Sequence, residues 1–266
     1  MILRNNIIFG TLLCLISVNV IKVAHGNPQT IYLPAHYATI EDAKHEFKNH
    51  KPVLLWDLHK VILDHVMKRM FFHKRSNRSS NWWAITKDTA QALLSLNTYR
   101  HIYTQARAGN KVTQAYLDAF KNYPNLYEAF LRLANDIHVP NTSVIEILKE
   151  MHAHHHQYIF SNIGPAILKD LQQEYPEIFE SFSDSKNVIN NQDPHTGPWL
   201  CKPRPSAYAA ALDFIVKKDG SSARSRVIFI DDKLENIKAA QQGGMIGILF
   251  TNASQLRNDL SLLGLL

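Results

Sequence analysis

The sequence predicts an α/β fold in which a Rossmann-like parallel sheet core carries an all-helical cap inserted after its first strand. Two observations support the core: short apolar runs alternate with amphipathic stretches of helical length, and several of these runs end on polar residues. A third supports the cap, because residues 64–139 repeat apolar positions at helical spacing. Strands that alternate with helices are typical of a parallel sheet covered on both faces.

The first predicted strand is PVLLWDL at residues 52–58, a short apolar run after a proline. This pattern is typical of a strand that is buried on both faces. The cap sequence follows it, and apolar residues recur there at i, i+3, i+4 and i+7. The segments TAQALLSLNTYRHIYTQA, VTQAYLDAFKNY and LYEAFLRLANDI therefore predict three or four amphipathic helices.

The α/β pattern resumes after residue 140. TSVIEILKEMHA is predicted to be a helix, with Thr142 or Ser143 as its N-cap and Glu146 completing a capping box. QYIFSN, RVIFIDD and IGILFT predict further strands, whereas GPAILKDLQQEY, SAYAAALDFIVKK and LENIKAAQQG predict helices. We therefore assign residues 27–63 and 140–266 to the core and residues 64–139 to the cap. A chain of 266 residues that is 45% hydrophobic can bury such a core.

The first 26 residues have the pattern of an export signal. Arg4 precedes an apolar run from Ile7 to Val20, and small residues end the segment at Gly26. We expect cleavage before Asn27 and export to the periplasm or the outside. An uncleaved membrane anchor is the alternative, because Lys22 closes an apolar run that is short for a membrane span. No stable membrane insertion of the mature chain is expected.

The formal net charge of the whole chain is +6, and losing Arg4 and Lys22 with the leader lowers it to +4. This is mildly basic and gives no reason to expect nucleic acid as a partner.

Polar residues follow three of the predicted strands. Asp57 ends the first, Ser161 and Asn162 end the second, and Asp231 and Asp232 end the third. Ligands of open α/β sheets gather beyond the carboxyl ends of the strands, so these residues are expected to meet in one crevice. Carboxylates brought together there repel one another, and we expect a cation among them. Oxygen ligands favour Mg²⁺ over zinc.

The order of these motifs resembles the haloacid dehalogenase-like (HAD) hydrolases, in the branch whose helical cap follows the first strand. WDLHKVI is similar to their first motif, FSN to the second, the lysine of CKPRPSAY to the third, and VIFIDDKLENIKAAQQGG to the acidic fourth. The resemblance covers residues 51–252. Further detail is similar to the subgroup that contains glucose-1-phosphate phosphatases and the phosphatase domain of soluble epoxide hydrolase.

The resemblance implies phosphoryl transfer through an aspartyl phosphate. Asp57 would be the nucleophile and would bind Mg²⁺ together with the backbone carbonyl of His59 and the carboxylate of Asp232. Asp231 would hold that arrangement in place.

Four other residues take supporting roles by the same resemblance. Lys202 would offset the carboxylates and steady the phosphoryl charge. The Ser161 hydroxyl and the Asn162 backbone N–H would donate to the phosphoryl oxygens. Asn236 would orient the waters of the metal, or would satisfy nearby backbone groups.

Two residues depart from the family pattern. His59 stands where phosphatases of this superfamily commonly carry a second Asp as general acid and base, and imidazole is able to replace it. Lys60 stands at a turn where the family usually has Gly. Two hypotheses follow: an exported Mg²⁺-dependent phosphomonoesterase acting on a small phosphorylated metabolite, or a catalytically impaired binding protein on the same scaffold. Dehalogenation needs no metal, so the acids at 231 and 232 count against it.

The segment MHAHHH places four histidines in the loop before the second strand: His152, His154, His155 and His156. Such a tract is compatible with zinc or copper binding. We nevertheless expect a plain loop, because it lies at the opposite edge of the sheet from the acids and no carboxylate or cysteine accompanies it in the sequence.

Overall fold

The structure is a computed structural model that describes residues 29–65, 82–107, 116, 118–136, 138–163, 165–182, 188–190 and 201–266. The predicted export leader lies outside the described residues, as do parts of the predicted cap. Within the described ranges, no helix is both long enough and apolar enough to cross a bilayer.

Strands and helices alternate along the described chain. The strands are β1 (Ile31–Tyr32), β2 (Val53–Trp56), β3 (Leu63–His65), β4 (His138–Pro140), β5 (Gln157–Ser161), β6 (Val188–Asn190), β7 (Val227–Asp231) and β8 (Ile246–Leu249). The helices are α1 (Ile40–Asn49), α2 (Trp82–Leu94), α3 (Leu96–Arg107), α4 (Pro124–Asp136), α5 (Thr142–His152), α6 (Pro165–Glu174), α7 (Pro176–Phe179), α8 (Pro205–Asp219), α9 (Leu234–Gln242) and α10 (Ala253–Leu262). A 3₁₀ helix at Ser221–Arg226 leads into β7.

The described central sheet has the strand order β1-β8-β7-β2-β5-β6. All neighbours in it are parallel except β1, which runs antiparallel to β8. β2 lies in the middle, where Trp56 pairs with Ile159 of β5 on one side and with Ile230 of β7 on the other. The predicted α/β class with a mostly parallel sheet is confirmed. β1 and β6 were not predicted, because two or three residues are too few to show a period. α1 was not predicted either, because only Ala43 and Phe47 of its ten residues are buried, which leaves a weak apolar pattern.

Both faces of the sheet are buried. Leu54 and Trp56 pack into one hydrophobic cluster, with α5, α6 and α10, whereas Val53 and Leu55 pack into the other, with α8 and α9. Successive side chains of a strand point to opposite faces, so an unbroken apolar run is what a doubly covered strand requires. The polar residues of these strands therefore come at their ends, as Gln157 and Ser161 of β5 and Asp231 of β7 do.

The helices α2, α3 and α4 occupy the segment that was predicted to be helical. At the two ends of this segment, β3 and β4 pair as an antiparallel ribbon, with Leu63 opposite Pro140. The chain thus leaves the core and returns to it at neighbouring points. The predicted cap boundaries at residues 64 and 139 lie within this ribbon.

The predicted N-cap of α5, Thr142 or Ser143, is wrong by one or two residues. The N-cap is Asn141, whose side-chain Oδ1 accepts a hydrogen bond from the Val144 N–H at 3.3 Å. Thr142 already lies inside the helix, and Glu146 lies two residues beyond Val144, the N3 position at which a capping box with Asn141 would need it. Asn is as good an N-cap as Ser.

Candidate active site

Three carboxylates meet at the carboxyl edge of the central sheet. Asp57 follows β2, Asp231 ends β7, and Asp232 comes next; their oxygens lie within 4.8 Å of one another. The strand pairing explains this, because Trp56 and Ile230 are partners and the Asp57 N–H donates to the Ile230 carbonyl at 2.8 Å. Residues 174 positions apart in the chain therefore emerge side by side.

Lys202 forms ion pairs with two of these acids. Its Nζ lies 2.9 Å from Asp57 Oδ1 and 2.7 Å from Asp231 Oδ2, with the side chain 2% exposed. The ammonium also lies 5.2 and 5.0 Å from the ring centroids of Phe160 and Phe229. Burial lowers the pKa of Lys202, but attraction to Asp57 and then to Asp231 outweighs it and raises the pKa above its ordinary value. The lysine is therefore a permanent cation in the site.

Asp231 is held from three directions. Both of its oxygens accept from Asn236 Nδ2 at 2.9 Å, Oδ2 also accepts from Lys202, and Oδ1 accepts from the Lys233 N–H at 2.9 Å. Tyr208 fixes Asn236 in turn by donating to its carbonyl oxygen at 2.9 Å. Burial raises the pKa of Asp231, and Lys202 works against that rise. With its oxygens already bonded to protein groups, Asp231 is suited to positioning Lys202.

Asp232 is the acid whose negative charge is least offset by nearby cations. Burial raises its pKa to about 6, and the negative charges of Asp231 and Asp57 add to that effect. Lys60 lies nearest among the cations, with Nζ 3.8 Å from Asp232 Oδ2, but that lysine side chain is 57% exposed. Lys202 and Lys60 therefore leave part of the negative charge of the three carboxylates without compensation. A divalent cation among these oxygens would remove the excess.

His59 lies beside Ser161. The hydroxyl Oγ of Ser161, at the end of β5, is 3.4 Å from His59 Nδ1. Ser161 is fully buried, whereas His59 is half-buried and its ring lies 4.8 Å from the ring of His138. Both predicted site residues are therefore in one place, next to the strand that carries Asp57.

Asn162 has a role that the sequence did not indicate. Its side-chain Nδ2 donates to the Lys202 carbonyl and its Oδ1 accepts from the Lys202 N–H, each at 2.8 Å. This amide pair fixes the loop that delivers Lys202 to the acids. Pairing between a side chain and a main chain 40 residues away leaves no signal in sequence spacing, which is why only the backbone N–H of Asn162 was assigned.

Lys60 adopts a backbone conformation that favours glycine. Its φ is 62°, and its N–H donates to the Leu63 carbonyl at 2.6 Å across a tight turn. A residue with a Cβ is strained in this left-handed region. The turn expected for the family's Gly is thus present, and the Lys60 side chain leads its ammonium towards Asp232.

A cavity of about 520 Å³ opens beside these residues. Polar side chains dominate its lining, among them Lys60, Asp64, Ser143, Asp232 and Thr251. The cavity provides room for a small polar molecule next to Asp232.

The fold and the site together define an α/β protein with a cluster of three acids and a buried lysine at the carboxyl edge of a parallel sheet. No family model matches this chain, and no curated protein matches its sequence.

Solved structures of HAD-family enzymes resemble it in fold. A HAD family enzyme from Bacteroides thetaiotaomicron, in complex with magnesium and inorganic phosphate, is 17% identical over 76% of this chain and 94% of that chain, with a TM-score of 0.47. A predicted HAD-like family hydrolase from Porphyromonas gingivalis is 13% identical over 79% and 96%, with a TM-score of 0.49. A HAD-superfamily hydrolase from Ehrlichia chaffeensis is 19% identical over 79% and 96%, with a TM-score of 0.43. Likeness at this level concerns the fold alone.

Proposed function

We propose that this protein is an exported, Mg²⁺-dependent phosphomonoesterase that hydrolyses a small phosphorylated metabolite through an aspartyl phosphate. The observation that supports it most is the meeting of Asp57, Asp231 and Asp232 within 4.8 Å, with Lys202 paired to two of them. A nucleophile, a charge-neutralising lysine and oxygen ligands for a hard cation are what phosphoryl transfer at a carboxylate requires.

Asp57 is the nucleophile in this proposal. One of its oxygens is paired with Lys202, and the other forms the bond to phosphorus while the ester P–O bond breaks. The leaving alcohol takes a proton, which we assign to the His59 imidazole. Water then attacks the acyl phosphate, gives its proton back to His59, and releases inorganic phosphate. Atoms and charge balance over the two displacements, and Asp57 is regenerated.

The oxygens of Asp57 and Asp232, with the backbone carbonyl of His59, would hold Mg²⁺. Burial, and then the negative charges of Asp231 and Asp57, raise the pKa of Asp232 to about 6, and a cation bound to these oxygens would offset that charge. Bound Mg²⁺ supplies positive charge next to the phosphoryl oxygens and the nucleophile.

Lys202 and Ser161 complete the phosphate site. The Lys202 ammonium stays charged and lies within bonding distance of Asp57, so it is able to neutralise a phosphoryl oxygen at the point of attack. The Ser161 hydroxyl and the Asn162 backbone N–H donate to the other oxygens. Donors that are fixed before the reaction begins stabilise developing charge without reorganisation.

The alternative is a catalytically impaired binding protein on the same scaffold. Its support is the turn after Asp57, where His59 replaces an acid and a strained Lys60 lies 3.8 Å from Asp232. In that case the acids would bind a cation or ligand without turnover.

The deciding assay is hydrolysis of p-nitrophenyl phosphate by the purified protein with Mg²⁺, with EDTA, and after Asp57→Asn. We expect release of nitrophenol that depends on Mg²⁺ and that Asp57→Asn abolishes. The control substitution Asp213→Asn, at an exposed position, should leave the rate unchanged. Activity that survives Asp57→Asn excludes the aspartyl phosphate. A folded protein that is inactive on a broad phosphate panel supports the binding protein. N-terminal sequencing of the exported chain tests cleavage before Asn27.

A further inference from the structure

A second cavity of about 850 Å³ opens at the opposite edge of the sheet, where β2, β5 and β7 begin. The loop between α1 and β2, the loop between α5 and β5, the end of α8 and the 3₁₀ helix surround it. β7 has five residues and begins at this cavity and ends at the acid cluster. At roughly 3.3 Å per residue, the cavity lies roughly 15 Å from the acids. Its chemistry is therefore independent of the phosphatase proposed above.

Histidines line this cavity from two loops. His50 comes from the loop after α1, and the other four are the tract singled out in the sequence, His152, His154, His155 and His156. Histidine is the side chain whose charge changes most readily between about pH 5 and 8.

The remaining charged groups of the lining are mostly cations. Lys51, Lys218 and Arg226 are permanently positive, and Asp219 is the acid among the lining residues. The Arg226 guanidinium donates to Ser222 and to the Lys51 carbonyl, so it adds charge to the wall and holds the α1–β2 loop in place.

Asp219 is already occupied by protein groups. Its Oδ1 accepts from His156 Nδ1 at 2.5 Å, and its Oδ2 accepts from the Tyr158 hydroxyl at 2.6 Å. A carboxylate therefore accompanies the histidine tract after all, from the end of α8, which corrects the sequence-based expectation. When His156 is protonated, its charge offsets that of Asp219, so this acid repels an anion least in acidic solution.

The hydrogen bonds also fix the tautomers of two rings. A carboxylate oxygen and a carbonyl oxygen only accept, so His156 Nδ1 donates to Asp219 and His155 Nδ1 donates to the Pro52 carbonyl at 3.2 Å. In the neutral rings the proton is on Nδ1, and Nε2 carries a lone pair that repels an anion. Only protonation of the ring turns Nε2 into a donor.

We propose that this cavity binds a small polyanion, a molecule with two or more phosphate or sulfate groups, in acidic solution. Its volume is that of small-molecule sites, which span about 300–1,000 Å³. Imidazolium, ammonium and guanidinium groups converge on it, and charge-assisted bonds to such oxygens are strong. Burial, and then the charges of Lys51 and His154, lower the pKa of His155, so the site reaches its full charge only at acidic pH.

The competing ligand is a transition metal ion, and pH separates the two. A metal ion binds the neutral Nε2 lone pair and is therefore held better as the pH rises, whereas a polyanion needs the protonated ring and is held better as the pH falls. The geometry favours the anion: within the described residues, the one group of three side chains close enough to share a metal ion is Asp57, Asp231 and Asp232.

Calorimetric titration of the full chain with tripolyphosphate at pH 5.5 and pH 7.5, at constant ionic strength, tests the proposal. We expect an affinity at least about tenfold higher at pH 5.5, although the probe itself carries less negative charge there. His155→Gln with His156→Gln should remove most of this pH dependence. Lys218→Gln, at an exposed position that does not endanger folding, should weaken binding severalfold at both pH values.

Matched controls are His45→Gln and Lys238→Gln, exposed residues outside the cavity, which should bind like the unaltered protein. Absence of binding at pH 5.5 overturns the proposal. Binding that the cavity variants leave unchanged overturns it as well, and would place the anion elsewhere. A separate titration with Zn²⁺ that shows tighter binding at pH 7.5, without tripolyphosphate binding, would identify a metal site in its place.

Discussion

The most informative single residue is Lys60, because its backbone is strained and its ammonium lies beside an acid. A left-handed conformation at a residue with a Cβ costs about 1–2 kcal/mol relative to glycine. Such strain persists where the surrounding structure or the function demands it. Lys60 therefore acts on both the stability of the turn and the charge balance of the site.

Two substitutions separate these effects. Lys60→Gly should raise the free energy of unfolding by about 1 kcal/mol in EDTA, because it relieves the strain, whereas Lys60→Ala keeps the positive φ and should not. Both should bind Mg²⁺ more tightly than the unaltered protein, because no ammonium lies 3.8 Å from Asp232. Urea denaturation and Mg²⁺ titration measure the two quantities. Equal stabilisation by Gly and Ala would show that backbone strain is not the cause.

His59 is the residue on which proton transfer depends in the proposed mechanism. His59→Ala should lower kcat on p-nitrophenyl phosphate by roughly 10² or more. His59→Asp should recover part of the loss and move the pH profile to lower pH, because carboxyl groups titrate near about 4 and imidazole near about 6.5. His36→Ala serves as the control, because His36 is exposed and its ring contacts the Ser225 carbonyl just before the start of β7, at the other end of the strand from Asp231. An unchanged rate in His59→Ala would assign the proton to another group.

Among the elements, β8 and α9 approach each other closely through a glycine. A Cβ at Gly247 would lie 2.6 Å from Ile237 Cγ2 and 3.3 Å from the Ile237 carbonyl. The helix that follows Asp232 therefore packs directly onto the strand backbone. This close approach fixes α9, which carries Asn236 and through it the position of Asp231.

Gly247→Ala should lower the free energy of unfolding by about 1–3 kcal/mol, because it overpacks this contact. Ile237→Ala should cost about 2–5 kcal/mol by leaving a cavity. The double variant should be more stable than the sum of the two predicts, since the added methyl fills space vacated by the isoleucine. Urea denaturation of the four proteins checks this, and simple additivity would contradict the contact.

The sequence predicted the elements that carry the site better than those that surround it. β2, β5 and β7 could be recognised because each is an unbroken buried run that ends on a polar residue. The two-residue β1 offers no period to detect, and the N-cap Asn141 was missed by one position. Contacts between distant positions, such as Asn162 with Lys202 or His156 with Asp219, depend on how the loops fold back, and spacing along the chain does not encode them.

At the scale of the whole molecule, Lys202 joins β2, β7 and the loop before α8 through one buried charge. Removing it leaves three carboxylates that repel one another in a buried site. Burial already raises the pKa of Asp231, and raises that of Asp232 to about 6. Such carboxyls favour the folded state when protonated, so their contribution to stability is present at low pH and is lost as the pH rises through about 6.

Lys202→Met should therefore destabilise the fold by about 3–5 kcal/mol at pH 7.5, the cost of breaking a buried ion pair. At pH 5 the loss should be smaller, because the unpaired acids accept protons. Denaturation of the variant and of the exposed-site control Lys238→Met at both pH values measures this. A loss that is equal at the two pH values would mean that packing, and not charge, is what Lys202 contributes.

The ribbon formed by β3 and β4 has a consequence for how this molecule can diversify. Because Leu63 and Pro140 face each other, the two ends of the inserted segment are held together by the ribbon. Its attachment to the central sheet therefore does not depend on its length or composition. Insertions, deletions or wholesale exchange of that module leave the register of the strands behind Asp57 untouched. The inserted segment can thus change over generations while the acid cluster keeps its geometry.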